Sequence, residues 1–301
     1  VWVKGNLHCH TNQSDGDTSP SEVCKYYAEA GYDFLAITDH SVFVDPTQVD
    51  SHGLLLIPGE ELTMVPEEDH TIPIHVNAFG IKGTISAPRG VTRLETIQNC
   101  IDTIREEGGI AQINHPNFYY AFNHEEIAAT EDCFLLEVYN GHPLVFNEGD
   151  ENHVSVEYMW DNVLSQGILM YGTGVDDTHH FKEISPSHAN AFKGWIWADV
   201  EELTVEEVLG ALWRGDFYAS NGVELEDVVQ GWSGTYRVVI AKSPGLSYVT
   251  KFIGDNGEVL QQSDALDSTF TLPGDGKYTY VRAKVIASDG TCAWTQPLFI
   301  K

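Results

Sequence analysis

Thirteen histidines are spread along the 301-residue chain, and six of them stand where short apolar runs end. His8 and His10 are two apart, the spacing that turns side chains of an extended strand to one face. Two imidazoles so placed can hold one cation. Asp15 follows, and the run Phe34-Leu35-Ala36-Ile37 delivers Asp39-His40. Leu54-Leu55-Leu56-Ile57 ends at Pro58-Gly59-Glu60-Glu61, and His75 lies in the alternating segment from Ile74 to Phe79. His115 follows Ile110–Ile113, while Asp177 and His179 follow Ile168–Gly172. A lone histidine is usually a polar residue that finds a hydrogen bond. Nine imidazoles and carboxylates on one rim are different, because without cations they would repel or need shifted pKa values. Their mixed N and O donors, without sulfur, suit Zn, Mn or Fe. Cations of this kind bring the pKa of water down to ~7, which is the chemistry of hydrolysis.

The elements that must position these groups alternate. Ser19-Pro20-Ser21-Glu22 has the form of a capping box with Pro at the first helical position, and Gly31 ends that helix. Thr92-Arg93-Leu94-Glu95 opens another, with Leu94, Ile97, Ile101 and Ile104 at helical spacing and Gly108-Gly109 as its stop. A third is predicted from Ser155 to Leu164. Strands are predicted to begin near Gly5, Phe34, Leu54, Ile74, Ile110, Phe134 and Ile168, and most finish on His, Glu or Asp. Function at several strand ends on one face is the habit of α/β barrels. Periodicity alone leaves a closed seven-strand barrel and an open doubly wound sheet both open.

After Trp197 the rhythm changes. One more helix runs from Thr204 to Gly215, and from Tyr236 onward short alternating strands are separated by Asp255-Asn256-Gly257, Pro273-Gly274-Asp275-Gly276 and Asp289-Gly290. This predicts a small antiparallel β-sandwich without histidine, and a division into residues 1–222 and 223–301. Trp232 and Trp294 are the residues expected to pack it onto the first unit.

The wording KGNLHCHTNQSDGDTSP…YDFLAITDH resembles the PHP (polymerase and histidinol phosphatase) metallohydrolases, and within them the carbaryl-hydrolase-like branch. The resemblance extends over nearly the whole chain, with its specific motifs before residue 180. It implies a distorted (β/α)7 TIM-like barrel and two or three divalent metal ions. His8 and His10, with an Asp from the last strand, would hold the first metal, and Glu61 would bridge to a second held by His75 and His115. Asp15, His40 and His179 match a third. The family's closing GSDxH has an extra residue here, so Asp177 fits the D-x-H spacing and Asp176 is an alternative. The implied reaction is phosphoester hydrolysis by a metal-bridging hydroxide. Carbamate, carboxyl-ester or amide hydrolysis at the same metals is the competing reaction, and a non-catalytic binding module is the rival from another class.

Other residues fill lesser roles in this reading. His142, after Asn140-Gly141, is the candidate proton donor to the leaving group. Arg89 is the first candidate to hold phosphate oxygens, ahead of Lys82, Arg93 and Lys182. The loop Asn117–Phe122 could wall the pocket or pack in the core. The 16 basic against 45 acidic residues give a net charge of −29, which excludes non-specific nucleic-acid binding. No apolar run approaches membrane-spanning length. Five scattered cysteines, never in a CxxC pair, predict free thiols in a reducing, cytoplasmic setting, with Cys9 turned away from its histidine neighbours. The partner is then a small-molecule substrate carrying phosphate; the sequence does not set an oligomeric state.

Overall fold

The computed structural model describes residues 1–231, 234–274 and 276–300; Trp232 and Asp275 lie outside the described residues. Strand β1 (Trp2–Asn6) leads through the histidine pair to helix α1 (Pro20–Glu29) and strand β2 (Phe34–Ala36). The helix starts where the sequence predicts, but the cap differs. Ser19 Oγ donates to Glu22 Oε2 at 2.7 Å and accepts no backbone N–H. α1 buries Val23, Cys24 and Tyr27 against Leu35, Ile37 and Cys9, so Cys9 does face away from the histidines. β1 and β2 run parallel, followed by the short parallel strand β3 (Leu55–Ile57). A Cβ on Gly5 would lie 2.2 Å from the Phe34 ring, so this close approach of strands requires glycine.

Pro58 ends β3, and β4 (Gly59–Met64) begins at once. β4 and β5 (Ile74–Phe79) form an antiparallel pair, continued through β6 (Ile110–Ile113), β7 (Leu135–Asn140) and β8 (Tyr171–Val175) as a five-stranded sheet. Helix α2 (Arg93–Glu106) has the complete capping box, Thr92 with Glu95, and buries Ile97, Ile101 and Ile104. A short α3 (His124–Ala128) precedes β7, and α4 (Val156–Ser165) precedes β8. The last strand thus begins at Tyr171, three residues later than the apolar run suggests.

The fold is mixed α/β, but its sheets do not close into the expected seven-strand barrel. Closure needs continuous staggered pairing around the ring. Here β2 and β3 are three residues long, and β3 passes into an antiparallel hairpin without a helix. At the rim that carries these histidines the two sheets are joined by single parallel bridges, Cys9↔Thr178 and His40↔Glu61.

Beyond β8 come β9 (Trp195–Asp199), α5 (Val205–Arg214) and β10 (Phe217–Ser220). β9 pairs with β1 on one side and β10 on the other. The remaining strands are β11 (Leu225–Gly231), β12 (Thr235–Ile240), β13 (Tyr248–Ile253), β14 (Val259–Ser263), β15 (Asp267–Thr271), β16 (Tyr280–Ala287), β17 (Cys292–Thr295) and β18 (Leu298–Phe299). β10 pairs with β17, so one large sheet takes strands from both sides of the 222/223 division. The three-stranded sheet β11-β12-β15 packs on it through Tyr236, Val238, Phe252, Phe270, Val281 and Val285. Among the described residues no helix is long and apolar enough to cross a membrane, and all five cysteines are free and buried.

The C-terminal strands are tied to α4 by a buried ionic network. Arg282 donates to both oxygens of Asp161 at 2.7 Å and to Glu157 Oε1 at 2.8 Å, with its guanidinium over the Trp160 ring. Lys284 reaches Glu157 at 2.5 Å, and Trp294 stacks on Tyr139 with ring centroids 5.4 Å apart. Burial would raise the Glu157 carboxyl, but Arg282 and Lys284 outweigh it and lower the pKa to about 2. A carboxylate depressed in the folded state stabilises above its unfolded pKa of about 4.5, and that contribution fades as pH falls toward 2. Glu157→Gln is therefore expected to cost up to about 3 kcal/mol at neutral pH, with the difference vanishing across that acid window. Urea unfolding of both proteins between pH 7 and pH 2 checks it; a difference independent of pH would contradict it.

Candidate metal centre

All nine residues expected at the rim converge on one cluster. His8 and His10 leave the end of β1, Asp177 and His179 the end of β8, and Glu61 points inward from β4 beside His75 of β5. His8 Nε2 lies 3.1 Å from His10 Nε2 and 3.3 Å from Asp177 Oδ1, which is 3.2 Å from His10 Nε2. Glu61 Oε2 stands 3.4 Å from the first nitrogen and 3.3 Å from the second. Donors held about 2.0–2.1 Å from a tetrahedral cation lie roughly 3.3–3.4 Å apart. His8, His10 and Asp177 have that spacing pairwise, so these three fit one ion, with Glu61 Oε2 beside both histidines.

The other oxygen of the same carboxylate faces a second group. Glu61 Oε1 is 3.2 Å from His75 Nδ1 and 3.5 Å from His115 Nε2, and these nitrogens are 3.2 Å apart. A third group is more open: Asp15 Oδ1 lies 3.3 Å from His179 Nε2 and Oδ2 lies 3.4 Å from His40 Nε2, with the Asp15 side chain 55% exposed. The His10 ring is stacked between those of His40 and His179. Glu61 Oε2 and His10 Nδ1 are buried without hydrogen-bond partners, the condition a coordinated cation relieves.

The protonation of the cluster points the same way. Burial alone would push His8 down, but Asp177, Glu61 and Glu137 raise it well above the usual imidazole range. Burial would raise Glu61, yet His75, His8 and His40 hold it well below the carboxylate range, and His8 and His10 do the same for Asp177. Protons here stand where cations would bring the compensating charge.

Beneath the donors lies a buried polar layer that the sequence reading passed over. Glu137 of β7 accepts from His8 Nδ1 at 2.6 Å, from Gln112 Nε2 at 3.1 Å, and from His115 N and Asn140 Nδ2 at 2.9 Å. Asn114 Nδ2 donates to Glu61 Oε1 at 2.8 Å and to Asn77 at 2.9 Å, and Asn140 donates to Asp177 at 3.1 Å. A lone Glu inside the apolar strand Phe134–Tyr139 was the available signal. Asp176, the alternative to Asp177, faces elsewhere: its carboxylate accepts from Tyr27 OH and the backbone N–H groups of 192, 193 and 194.

A cavity of ≈ 280 Å³ opens on the cluster, with Phe118, His142 and Leu144 on its walls beside the histidines. His142 Nδ1 accepts from Leu144 N at 3.1 Å, and burial brings this imidazole down to about 4. Phe118, from the loop that the sequence left between pocket and core, packs 5.1 Å from the His115 ring. Arg89 is exposed and does not line this cavity. Arg93 is held by Asp69 at 3.2 Å and by the Ala121 carbonyl.

No protein-family model matches the chain, and no curated protein matches it in sequence. Solved structures do. A two-domain protein from Bacteroides vulgatus, containing a predicted PHP-like metal-dependent phosphoesterase, aligns with a TM-score of 0.55 at 16% identity. The alignment covers 100% of this chain and 88% of that one. An amidohydrolase from Chromobacterium violaceum, with sulfate bound and no metal, gives a TM-score of 0.43 at 14% identity over 61% of this chain and 93% of its own. The first likeness carries the fold and no more than the fold; the second carries no argument.

Proposed function

We propose that this chain is a metal-dependent hydrolase of the PHP type, acting on a phosphoester through two or three divalent ions. One observation carries the reading: the two oxygens of buried Glu61 face separate groups of donors at ligand spacing. Bound cations there would acidify a water and polarise the scissile bond. Asp177 and Glu61 supply the negative charge that holds them, and the amide layer below fixes both carboxylates. The carbaryl-hydrolase-like branch is the proposed relationship within PHP proteins, and residues 223–301 are read as an accessory β unit without donors.

His142 is proposed to stabilise the leaving-group oxygen with a hydrogen bond from Nε2–H, because an imidazole brought down to about 4 is neutral at pH 7 and has no second proton to give. With Nδ1 accepting from Leu144, the neutral ring carries its hydrogen on Nε2. His142→Ala is expected to lower kcat about 10²–10³-fold with metal content intact. Steady-state kinetics and elemental analysis check this, and an unchanged kcat would remove His142 from the mechanism. A second reading, hydrolysis of a neutral carbamate, ester or amide, is favoured by the absence of Lys and Arg among the described residues that line the cavity. A panel of phosphomonoesters, cyclic phosphodiesters and aryl carbamates, assayed before and after chelation, separates the two. Metal-dependent turnover of phosphoesters supports the first reading; turnover of neutral carbamates alone overturns it in favour of the second.

A further inference from the structure

The walls of the cavity are built of different material from its floor. Phe118 and Leu144 face it, and none of its described lining residues is Lys or Arg. The neighbouring apolar side chains stay in solvent although nothing in the charge balance favours that: Tyr119 is 61% exposed, Leu144 50% and Phe146 47%. Exposed apolar groups gathered beside a polar site mark a binding surface. The surface is also held in place. Tyr119, Tyr120 and Phe146 have φ of 52, 51 and 45°, in the left-handed region that bulky residues avoid. Asn117 Nδ2 donates to the carbonyls of Phe146 and Val154 at 2.9 and 3.0 Å, locking the Phe118 loop to the Leu144 loop. Tyr120 donates to Asp150 at 2.6 Å and stacks on His153 at 3.5 Å. Among the described lining residues a second anionic group on a substrate would meet the partly exposed Asp15 carboxylate and no Lys or Arg.

We infer that the part of the substrate leading away from the metal centre is uncharged and apolar, an aryl or branched alkyl group seated on Phe118 and Leu144. The inference rests on the hydrolase reading above and narrows its substrate class. The test uses the metal-loaded protein and three non-hydrolysable probes: methylphosphonate, phenylphosphonate and 3-phosphonopropionate, with affinity read by calorimetry. Phenylphosphonate is expected to bind about tenfold tighter than methylphosphonate, and the carboxylate-bearing probe no tighter than methylphosphonate. Phe118→Ala should bring the phenyl-to-methyl ratio near one with metal content retained. Leu144→Lys, a second variant in case the first fails to fold, should shift preference toward 3-phosphonopropionate. Equal affinity for phenyl and methyl probes, tighter binding of the carboxylate probe, or no binding of any of them overturns the inference. Loss of the hydrolase reading would be seen separately, as absence of turnover across the ester panel whatever these affinities are.

Discussion

Glu61→Gln is expected to empty the centre of at least one metal equivalent and to lower hydrolysis by roughly a thousandfold or more, about 4 kcal/mol of transition-state stabilisation. The substitution keeps the volume and leaves an oxygen to accept from Asn114. What it removes is charge. Both oxygens of Glu61 lie among imidazole nitrogens, and a neutral amide would place an N–H₂ against either His8, His10 and His40 or His75 and His115. Replacement of any single histidine leaves the other donors of its group, whereas this replacement disturbs two groups together. Elemental analysis and kcat measured on the same preparation check the expectation. Full metal content with unchanged turnover would show that the carboxylate is an ordinary buried acid.

Glu137→Gln is the second large effect, although Glu137 touches no proposed substrate. All four of its partners are donors: His8 and Gln112 on one oxygen, the His115 N–H and Asn140 on the other. An amide must therefore turn its own N–H₂ toward donors whichever way it is flipped, leaving buried hydrogen-bonding groups unmatched. In one orientation the His8 ring loses the acceptor that sets its tautomer, and in the other it keeps only a neutral one while His115 N–H and Asn140 face the N–H₂. Partners of this kind are worth 10–100-fold in metal affinity, and a loss of about that size is expected in competition with a chelator. An unchanged affinity would mean that His8 is oriented by packing alone.

How much of this the sequence carries can be judged from particular residues. The strand-end histidines were legible because period-two spacing and short apolar runs fix both position and direction. The capped helix at Thr92 and the β-rich C-terminal region were legible for the same local reasons. β4 was not, since Gly59-Glu60-Glu61 directly after a strand reads as its end; only pairing with β5 makes it a strand. Barrel closure was not legible either, because it depends on pairing between β3, β4 and their neighbours and not on any segment's pattern. Glu137, Asn114 and Gln112 were hidden for a further reason. A polar residue inside an apolar strand acquires meaning only from what lies across the sheet. Arg89 shows the converse: a basic residue in a loop after a strand has no direction until the loop is folded.

The most direct test of the central claim is a metal count joined to an activity measurement. Protein purified without chelator is analysed for Zn, Mn and Fe, stripped, and reloaded with each ion while hydrolysis is followed. More than one equivalent per chain is predicted, with activity lost on stripping and restored only as the second equivalent binds. Hydrolysis that persists in metal-free protein, or reaches its full rate with a single equivalent, would contradict the shared role of Glu61.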